Sequence, residues 1–210
     1  MRRPIPITLS TRNPSKTEQI KAIFAGSNCV IRTLAEARIK GEAVEDGDTL
    51  YTNALKKAEF ARGKKWWSIF ALWKEDWSIS DDTGIFITAL KGEPGHRAAR
   101  WAGEDAETEE ITVYTLKRLE GITDRSAVFR TTVVLMSPKG KPYSFTGEVR
   151  GTILEAPRVP AHPKMPYSPI FLPDGETQVW AEMTVEYENS ISHRGKAFRK
   201  ARQFLEYLHR

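Results

Sequence analysis

The sequence predicts an α/β protein built on a mixed sheet. Strand-like and helix-like segments alternate through the N-terminal half, and two long β-branched segments joined by a tight turn follow them. Alternation of strands and helices is typical of parallel pairing, whereas a tight turn joins antiparallel strands. A chain of 210 residues is long enough for one large domain, and we treat residues 1–210 as a single domain.

The N-terminal half begins with a predicted strand, loop and helix. Ile5–Leu9 is short, apolar and β-branched, which predicts a strand. A polar turn follows, and Lys16–Ala25 has apolar residues at helical spacing. Because a helix N-terminus attracts anions, this turn is a weak candidate phosphate site. A second strand is predicted at Cys29–Leu34 and a second helix at Thr49–Arg62.

A tryptophan-rich segment, residues 64–77, holds four of the six tryptophans. Trp66, Phe70, Trp73 and Trp77 recur at helical spacing, which predicts a helix with one aromatic face. Such a face packs against the body of the protein or against a second subunit.

Two adjacent carboxylates, Asp81 and Asp82, lie between apolar stretches within Ser80–Gly84. Asp and Gly are frequent in turns, so the residue types favour a turn. The alternative is a metal site, because Mg²⁺ prefers carboxylate and phosphate oxygens. The residues alone leave both interpretations open.

The C-terminal half contains a predicted hairpin between two helices. A helix is predicted at Glu107–Leu119, and strands at Ala127–Met136 and Tyr143–Ile153 are joined by a proline- and glycine-containing turn. Five prolines mark residues 155–169 as a loop. A last helix is predicted at Lys196–Leu208, with Ser192 as the natural N-cap of the segment that opens it. The residues expected to face inward from this helix are Phe198, Ala201, Leu205 and Leu208.

Composition excludes several classes of function. The 32 basic and 27 acidic residues give a net charge of +5, but the two signs alternate along the chain, which argues against a nucleic-acid-binding stripe. No window approaches the ~20 apolar residues of a membrane span, and the N-terminus lacks a secretory apolar core. The single cysteine, Cys29, excludes an internal disulfide and a Cys-based zinc site. We therefore expect a buried thiol and a cytoplasmic protein.

Eight segments, in this order, resemble the inosine-triphosphate pyrophosphatase family, whose members hydrolyse non-standard purine nucleoside triphosphates. These segments are Thr11–Lys16, Asn53-Ala54 with Lys57, Ser80–Gly84, Gly92–Glu104, Gly147–Gly151, Pro169–Phe171, Ala181–Met183 and Ile191–Ala197. The resemblance covers Thr8 to Leu208. It implies an elongated mixed sheet flanked by helices, two lobes around a central nucleotide-binding cleft, and a homodimer.

The resemblance also implies a reaction and its residues. A nucleoside triphosphate and water would give the monophosphate and pyrophosphate, with Mg²⁺, or alternatively Mn²⁺, as cofactor. Glu45 and Asp82 match the metal ligands, and Asp82 with Asp81 beside it matches the general base. Adjacent carboxylates can raise each other's pKa, which suits a base near neutrality. The residues that match the triphosphate site are Thr11, Asn13, Lys16 and Lys57.

The positions that match the base site are less well preserved than those of the phosphate and metal sites. They are Thr83, Met165, Tyr167, Ser168, Glu188, Ser192, His193 and Arg194. The family's loop of glycine, phenylalanine, glycine, tyrosine or tryptophan, aspartate and proline is replaced by Lys164–Pro169. Glu188 replaces a lysine of the family, and the tryptophan-rich segment is longer than the family pattern. We therefore expect hydrolysis to be retained and base choice to be changed.

Glu188 suggests how base choice changes. An ionised glutamate can only accept hydrogen bonds. Our hypothesis is that Glu188 pairs with an exocyclic amino group, so that the substrate carries an amine where inosine carries a ketone. The alternative is that Glu188 points to solvent and the pocket is merely looser.

Two other functions stay open. A Maf-like nucleotide pyrophosphatase acting on pyrimidine or methylated bases would use the same phosphate loop. A nucleotide-binding sensor without turnover would explain the altered base loop. Ser192–Gly195 and Gly92–Gly95 favour the purine family, and intact Glu45, Asp82 and Lys16 favour an enzyme.

Overall fold

A seven-stranded mixed sheet is the frame of the computed structural model, which describes residues 4–63 and 76–209. The strands are β1 (Ile5–Leu9), β2 (Cys29–Thr33), β3 (Trp77–Ile87), β4 (Pro94–Gly95), β5 (Ser126–Met136), β6 (Pro142–Ile153) and β7 (Phe171–Pro173). The helices are α1 (Pro14–Phe24), α2 (Leu50–Gly63), α3 (Thr108–Arg118), α4 (Val185–Ile191) and α5 (His193–Leu208). The strand order is β2-β1-β3-β5-β6-β7, and β4 pairs with β3.

Strand β3 is the junction between the parallel and antiparallel parts of the sheet. It runs parallel to β1, which is itself parallel to β2. On its other side β3 pairs antiparallel with β5, and β5, β6 and β7 continue antiparallel. The predicted mixed sheet, with parallel pairing early and a hairpin late, is confirmed.

The turn interpretation of Ser80–Gly84 is wrong, because this segment lies inside the eleven-residue strand β3. Residues 78–87 pair one by one with β5, and this ladder overrides the turn preference of Asp and Gly. Gly84 is required for a different reason. A Cβ at this position would lie 2.5 Å from the carbonyl oxygen of Gly95, so only glycine lets β4 approach β3.

The observed starts of α1 and α5 agree closely with those predicted from the sequence. Helix α1 begins at Pro14, two residues before the predicted start, because Asn13 caps it and proline is favoured in the first turn. Helix α5 begins at His193 with Ser192 as its N-cap, as predicted. Phe198, Ala201 and Leu205 are buried in α5, but Leu208 is exposed near its end, so that part of the prediction is wrong.

The helices cover opposite faces of the sheet. Alternate residues of β3 point to α2, where Ser78 and Ser80 donate hydrogen bonds to the carbonyl oxygens of Ala58 and Ala54. Ile79, between the two serines, belongs to the core packed with α1 and α5. Cys29 is buried in the same core, as expected.

Two large hydrophobic cores lie along the sheet. One contains Ile79 and Phe198, and the other contains Phe129, Phe171 and Trp180.

Among the strands and α-helices, β4, β7 and α4 were not predicted. The predicted helix over 64–77 lies outside the described residues except at its end. Trp77 begins β3, and its ring lies 6.1 Å from that of Tyr143 within the same chain. In the described part of the chain, no helix combines the length and the apolar character needed to span a membrane.

Candidate active site

Two cavities meet beside β3. The carboxylate cleft is lined by Asp82, Glu45 and Lys57. The aromatic pocket is lined by Phe129, Tyr167 and Trp180. Both cavities are also lined by Lys16, Thr83, Ala99 and Lys164, so one ligand can extend from one cavity into the other.

The alternation of β3 separates its two aspartates. Successive side chains of a strand point to opposite faces. Asp82 faces α2 with Ser78 and Ser80, and Asp81 faces α1 and α5. Asp82 lines the carboxylate cleft, whereas Asp81 is buried and lines neither cavity. The two carboxylates expected to act side by side therefore lie in different surroundings.

Asp82 is held by two residues of α2. Lys57 Nζ donates to Asp82 Oδ1 at 3.0 Å, and Asn53 Nδ2 donates to Oδ2 at 3.2 Å. Asn53 and Lys57 are four residues apart, so one face of the helix presents both. The backbone N–H of Gly47 donates to Asn53 Oδ1 at 2.8 Å, which fixes the orientation of the amide. Lys57 Nζ also contacts Glu45 Oε2 at 3.0 Å and so joins the two carboxylates.

The charges in the carboxylate cleft act on one another. Burial raises the pKa of Asp82 and outweighs the opposing charges of Lys57 and Lys16, while Glu45 raises it further. Burial lowers the pKa of Lys57, but the negative charges of Asp82 and Glu45 outweigh it, so the pKa rises above its usual value. Lys57 therefore stays cationic, and Asp82 binds a proton more readily than an ordinary aspartate.

The loop before α1 forms the other wall of the carboxylate cleft, where Thr11, Asn13 and Lys16 lie together. Asn13 Oδ1 accepts from the backbone N–H of Lys16 at 3.2 Å, and Thr11 Oγ1 accepts from that of Asn13 at 3.2 Å. Arg12 and Arg100 also line the cleft. All four predicted triphosphate residues thus line one cleft, Thr11, Asn13 and Lys16 at the start of α1 and Lys57 from the middle of α2. Basic side chains outnumber acidic ones in this cleft.

Asp81 pairs with cations on its own side of β3. Lys16 Nζ lies 2.9 Å from Asp81 Oδ2, Arg194 Nε lies 3.8 Å from the same oxygen, and Thr83 Oγ1 donates to it at 3.3 Å. Burial raises the pKa of Asp81, but the charges of Lys16 and Arg194 outweigh it and hold the pKa far below its usual range. The expectation that the two aspartates raise each other's pKa is wrong for Asp81, because cations surround it.

The aromatic pocket brings most of the predicted base residues together. Those that line it are Thr83, Met165, Tyr167, Ser168, Glu188, His193 and Arg194. Ser192 lines neither cavity in the described structure. Its Oγ instead accepts from the backbone N–H of Gly195 at 3.0 Å and caps α5.

The walls of this pocket are aromatic rings. The ring of His193 stacks on that of Phe129, with centroids 4.6 Å apart and an angle of 10°. Tyr167 Oη donates to the carbonyl oxygen of Ala98 at 2.9 Å, which fixes its ring against Phe129. Burial lowers the pKa of His193 well below its usual value, and Arg194 lowers it further, so the imidazole is neutral.

Glu188 is buried, with 3% of its surface exposed, and does not point to solvent. Its Oε2 accepts from Gln19 Nε2 at 2.5 Å, and Gln19 Oε1 accepts from Arg194 Nη1 at 2.5 Å. Burial raises the pKa of Glu188, while Arg194 and Gln19 oppose that rise.

A divalent cation would find two carboxylates in the cleft, those of Glu45 and Asp82. The described residues include no group of three or more His, Cys, Asp or Glu that could hold a metal ion. Mg²⁺ is commonly held by one or two carboxylates together with substrate phosphates and water. The two carboxylates meet at one Lys57 nitrogen, so the donor set fits a cation that arrives with the phosphates.

Several residues of the site were not predicted. Gln19 lies one helical turn after Lys16, and Asn53 lies one turn before Lys57, so helical spacing from each predicted lysine was the available signal. Phe129 and Trp180 come from a strand and a short 3-10 helix far apart in sequence, and no local pattern marks them.

A basic cleft with two carboxylates, continuous with a pocket of aromatic rings, has the features of a site for a phosphorylated nucleoside. The chain belongs to the Ham1 family, whose model matches residues 7–204. It is 37% identical over 201 residues to a dITP/XTP pyrophosphatase of Thermoanaerobacter sp. (strain X514), a match that covers 95% of this chain and 96% of that protein. It is 37% identical over 193 residues to the dITP/XTP pyrophosphatase of Geobacter sulfurreducens, with 91% and 92% covered.

Solved structures agree with this assignment. The Staphylococcus aureus Ham1 protein superposes with a TM-score of 0.79 at 30% identity, covering 97% of this chain and 99% of that one. A HAM1 protein from Coxiella burnetii gives a TM-score of 0.81 at 28% identity with the same coverage. The predicted family and the predicted fold class are confirmed.

Proposed function

We propose that this protein hydrolyses non-standard purine nucleoside triphosphates to the monophosphate and pyrophosphate. One observation carries the proposal. The carboxylate cleft and the aromatic pocket share Lys16 and Thr83, so a ligand with phosphates at one end and a planar base at the other spans both. The names of the relatives, dITP/XTP pyrophosphatase, support a purine substrate over the pyrimidine or methylated bases of a Maf-like enzyme.

In this proposal, substrate binding is divided between the two cavities. Thr11, Asn13, Lys16 and Lys57 hold the triphosphate, because backbone N–H groups and ammonium charges at a helix N-terminus favour phosphate. The base enters the aromatic pocket, where Met165, Tyr167 and Ser168 lie on one loop and His193 and Arg194 lie at the start of α5. Ring stacking and a few buried polar groups would fix its orientation.

Asp82 is the proposed general base. Its carboxylate lines the open cleft, and burial raises its pKa above the usual value, so it accepts a proton more readily than an ordinary aspartate. Asp82 would take a proton from water as the water oxygen bonds to the α-phosphorus. The bond from that phosphorus to the bridging oxygen breaks, and pyrophosphate leaves with the electron pair, its charge balanced by Lys57 and Lys16. A divalent cation, Mg²⁺ or Mn²⁺, held by Glu45 and Asp82 would neutralise charge on the phosphate oxygens.

Asp81 has a different proposed role. It contacts Lys16 and Arg194 and lines neither cavity, so it is a positioning residue. Its carboxylate would hold the phosphate-binding ammonium and the base-side guanidinium in place through one shared oxygen.

We also propose a cytoplasmic homodimer. The family resemblance supports the dimer, and the single buried cysteine is in keeping with a reducing compartment. Size-exclusion chromatography with light scattering tests the dimer.

A product assay tests the proposed reaction. The protein is incubated with ITP, dITP, XTP and the common triphosphates in Mg²⁺, with and without EDTA, and products are separated by chromatography. We expect monophosphate and pyrophosphate in equal amounts, lost with EDTA. Release of orthophosphate, or tight nucleotide binding without any product, would contradict the proposal, and the second result would favour a sensor.

Substitution of two neighbouring lysines tests where the phosphates bind. Lys57→Met removes the ammonium that joins Asp82 and Glu45, and it should raise KM about tenfold or more. Lys56→Met is the matched control, because Lys56 is half-buried, pairs with Asp46 and lines neither cavity. Equal effects of the two substitutions would contradict the placement of the phosphates.

A further inference from the structure

Lys164 lies where the carboxylate cleft meets the aromatic pocket. It lines both cavities, together with Lys16, Thr83 and Ala99. The residue is exposed, and in the part of the chain that the structure describes its side chain makes no hydrogen bond and no ion pair. A lysine at the meeting point of a phosphate site and a base site has a charge that the proposed reaction has not yet used.

The turn formed by residues 162–165 fixes the backbone of Lys164. The last N–H of this turn donates to its first carbonyl oxygen at 2.9 Å. Asn13 Nδ2 donates to the carbonyl oxygen of Lys164 at 3.4 Å, and Ser15 Oγ donates to that of Pro163 at 3.3 Å. The turn is therefore attached to the start of α1, which forms one wall of the carboxylate cleft.

Lysine is an unusual residue at this place in a turn. Lys164 has a φ of +58°, in the left-handed region that favours glycine. Glycine would adopt this backbone without strain, and the loop of the family begins with glycine at this place. The lysine side chain is therefore a feature of this chain that the turn itself does not require.

The charges of the other basic side chains in the two cavities are balanced by carboxylates. Each lysine and arginine that lines a cavity, other than Lys164, forms an ion pair: Arg12 with Glu42, Lys16 and Arg194 with Asp81, Lys57 with Asp82 and Glu45, and Arg100 with Glu104. Within the described residues Lys164 has no such partner, so its positive charge is available to an anionic ligand.

The position of Lys164 determines which part of a nucleoside triphosphate it meets. With the base in the aromatic pocket and the terminal phosphates in the carboxylate cleft, the ribose and the α-phosphate lie at the junction. Only the α-phosphate of these two is charged, and a charged oxygen accepts the stronger hydrogen bond. Lys16 also lines the junction, but Asp81 Oδ2 lies 2.9 Å from its Nζ and balances its charge.

We propose that Lys164 is a substrate-binding residue whose ammonium contacts a non-bridging oxygen of the α-phosphate, the phosphate that water attacks in the proposed reaction. The proposal rests on the proposed function, because it takes the two cavities as the base site and the phosphate site. The monophosphate product keeps the α-phosphate, whereas pyrophosphate does not contain it. The contact can therefore be detected by the binding of products as well as by the rate of hydrolysis.

Two lysines with the same backbone conformation provide the first test. Lys91 has a φ of +54°, is exposed and lines neither cavity. Lys164→Met should lower kcat/KM for ITP about tenfold, because the α-phosphate loses a charge-assisted hydrogen bond. Lys91→Met should leave kcat/KM unchanged. An unchanged kcat/KM in Lys164→Met, or equal losses in the two variants, would overturn the proposal.

A glycine variant separates the ammonium from the shape of the turn. Lys164→Gly removes the side chain but adopts a positive φ freely, so the urea concentration at the midpoint of unfolding should not fall. The value of kcat/KM for ITP should fall as far as it does in Lys164→Met. Full activity in Lys164→Gly would overturn the proposal, since it would show that the site does not use the ammonium.

Binding of the two products separates this inference from the proposed reaction. Calorimetry in the absence of divalent metal gives the dissociation constants of IMP and of pyrophosphate. Lys164→Met should weaken IMP about tenfold and leave pyrophosphate unchanged, a result that supports the contact even if no triphosphate is hydrolysed. Equal weakening of both ligands, or of neither, would overturn the role of Lys164. Hydrolysis of ITP by the unmodified protein would then still leave the proposed function standing.

Discussion

Asp82 and Asp81 are neighbours in the sequence, yet they face different helices and have pKa values shifted in opposite directions. On the α2 side, burial raises the pKa of Asp82 despite Lys57. On the side of α1 and α5, the charges of Lys16 and Arg194 outweigh burial and lower the pKa of Asp81. The difference teaches that strand geometry, and not proximity in the sequence, decides which charges a carboxylate meets.

The comparison gives the two sides of β3 separate tasks. A carboxylate that readily binds a proton and faces an open cleft suits proton transfer. A carboxylate that is always ionised and closed off from both cavities suits the fixing of cations. Neutralising Asp82 should therefore lower the reaction rate, whereas neutralising Asp81 should lower the stability of the protein.

Asp82→Asn should have the largest effect. The asparagine keeps an oxygen for Lys57 but cannot take a proton, so kcat should fall by about 10²–10⁴-fold. The measurement is the steady-state rate of pyrophosphate release. Folding should be retained, since asparagine has the shape of aspartate and burial already penalises the charged form of Asp82. Asp105→Asn, at an exposed position, is the control, and a kcat close to that of the unmodified protein in Asp82→Asn would refute the base assignment.

Asp81→Asn should act mainly on stability. Loss of its charge leaves Lys16 and Arg194 buried without their shared partner, which should lower the free energy of unfolding by roughly 3–5 kcal/mol. KM should rise more than kcat falls, because the phosphate-binding lysine loses its position. Urea unfolding and steady-state kinetics measure the two effects. If Asp81→Asn lowered kcat as much as Asp82→Asn without loss of stability, the positioning role would be wrong.

A smaller effect, on the pH dependence of stability, is expected from His193, which lies on the same side of β3 as Asp81. Below pH about 6.5 an unfolded histidine binds a proton, but the buried His193, with its lowered pKa, does not. Stability should therefore fall as the pH is lowered from 7.5 to 5.5, and this residue should account for roughly 1 kcal/mol of that loss. His193→Phe keeps an aromatic ring stacked on Phe129 and should remove the contribution of His193 to this pH-dependent loss of stability.

The exposed His209 supplies the control for that measurement. His209→Phe should leave the difference in unfolding free energy between pH 7.5 and 5.5 unchanged. An equal pH dependence in His193→Phe and the unmodified protein would show that the buried imidazole is not its source.

The sequence predicted the elements whose signals are local. Strand β1 and the N-cap of α5 follow from a few adjacent residues, and the structure has them. The segment around Asp81 and Asp82 was ambiguous, because its residue types favour a turn while its pairing with β5 makes it a strand. That pairing joins residues far apart in sequence, which no local pattern reveals. Leu208 kept the helical spacing of its neighbours, but the end of α5 extends beyond the core.

The site was predicted best where the resemblance supplied residues. Thr11, Asn13, Lys16, Lys57, Glu45 and Asp82 all line one cleft. Ser192 matched the family's pattern but serves as a helix cap, a role that its residue type had also indicated. Gln19 was missed because its importance depends on meeting Glu188 and Arg194 from a distant helix.

The alternation along β3 also bears on how such a protein changes over evolutionary time. Side chains that would recognise the base and side chains that would cleave the phosphate meet chiefly at Lys16 and Thr83, so mutations on one side need few compensating mutations on the other. A lineage can thus acquire a new substrate range while inheriting its chemistry intact. A single residue inserted within β3 would instead turn the side chains that follow it to the opposite face of the sheet. Such an insertion would disable base recognition and phosphate cleavage at once.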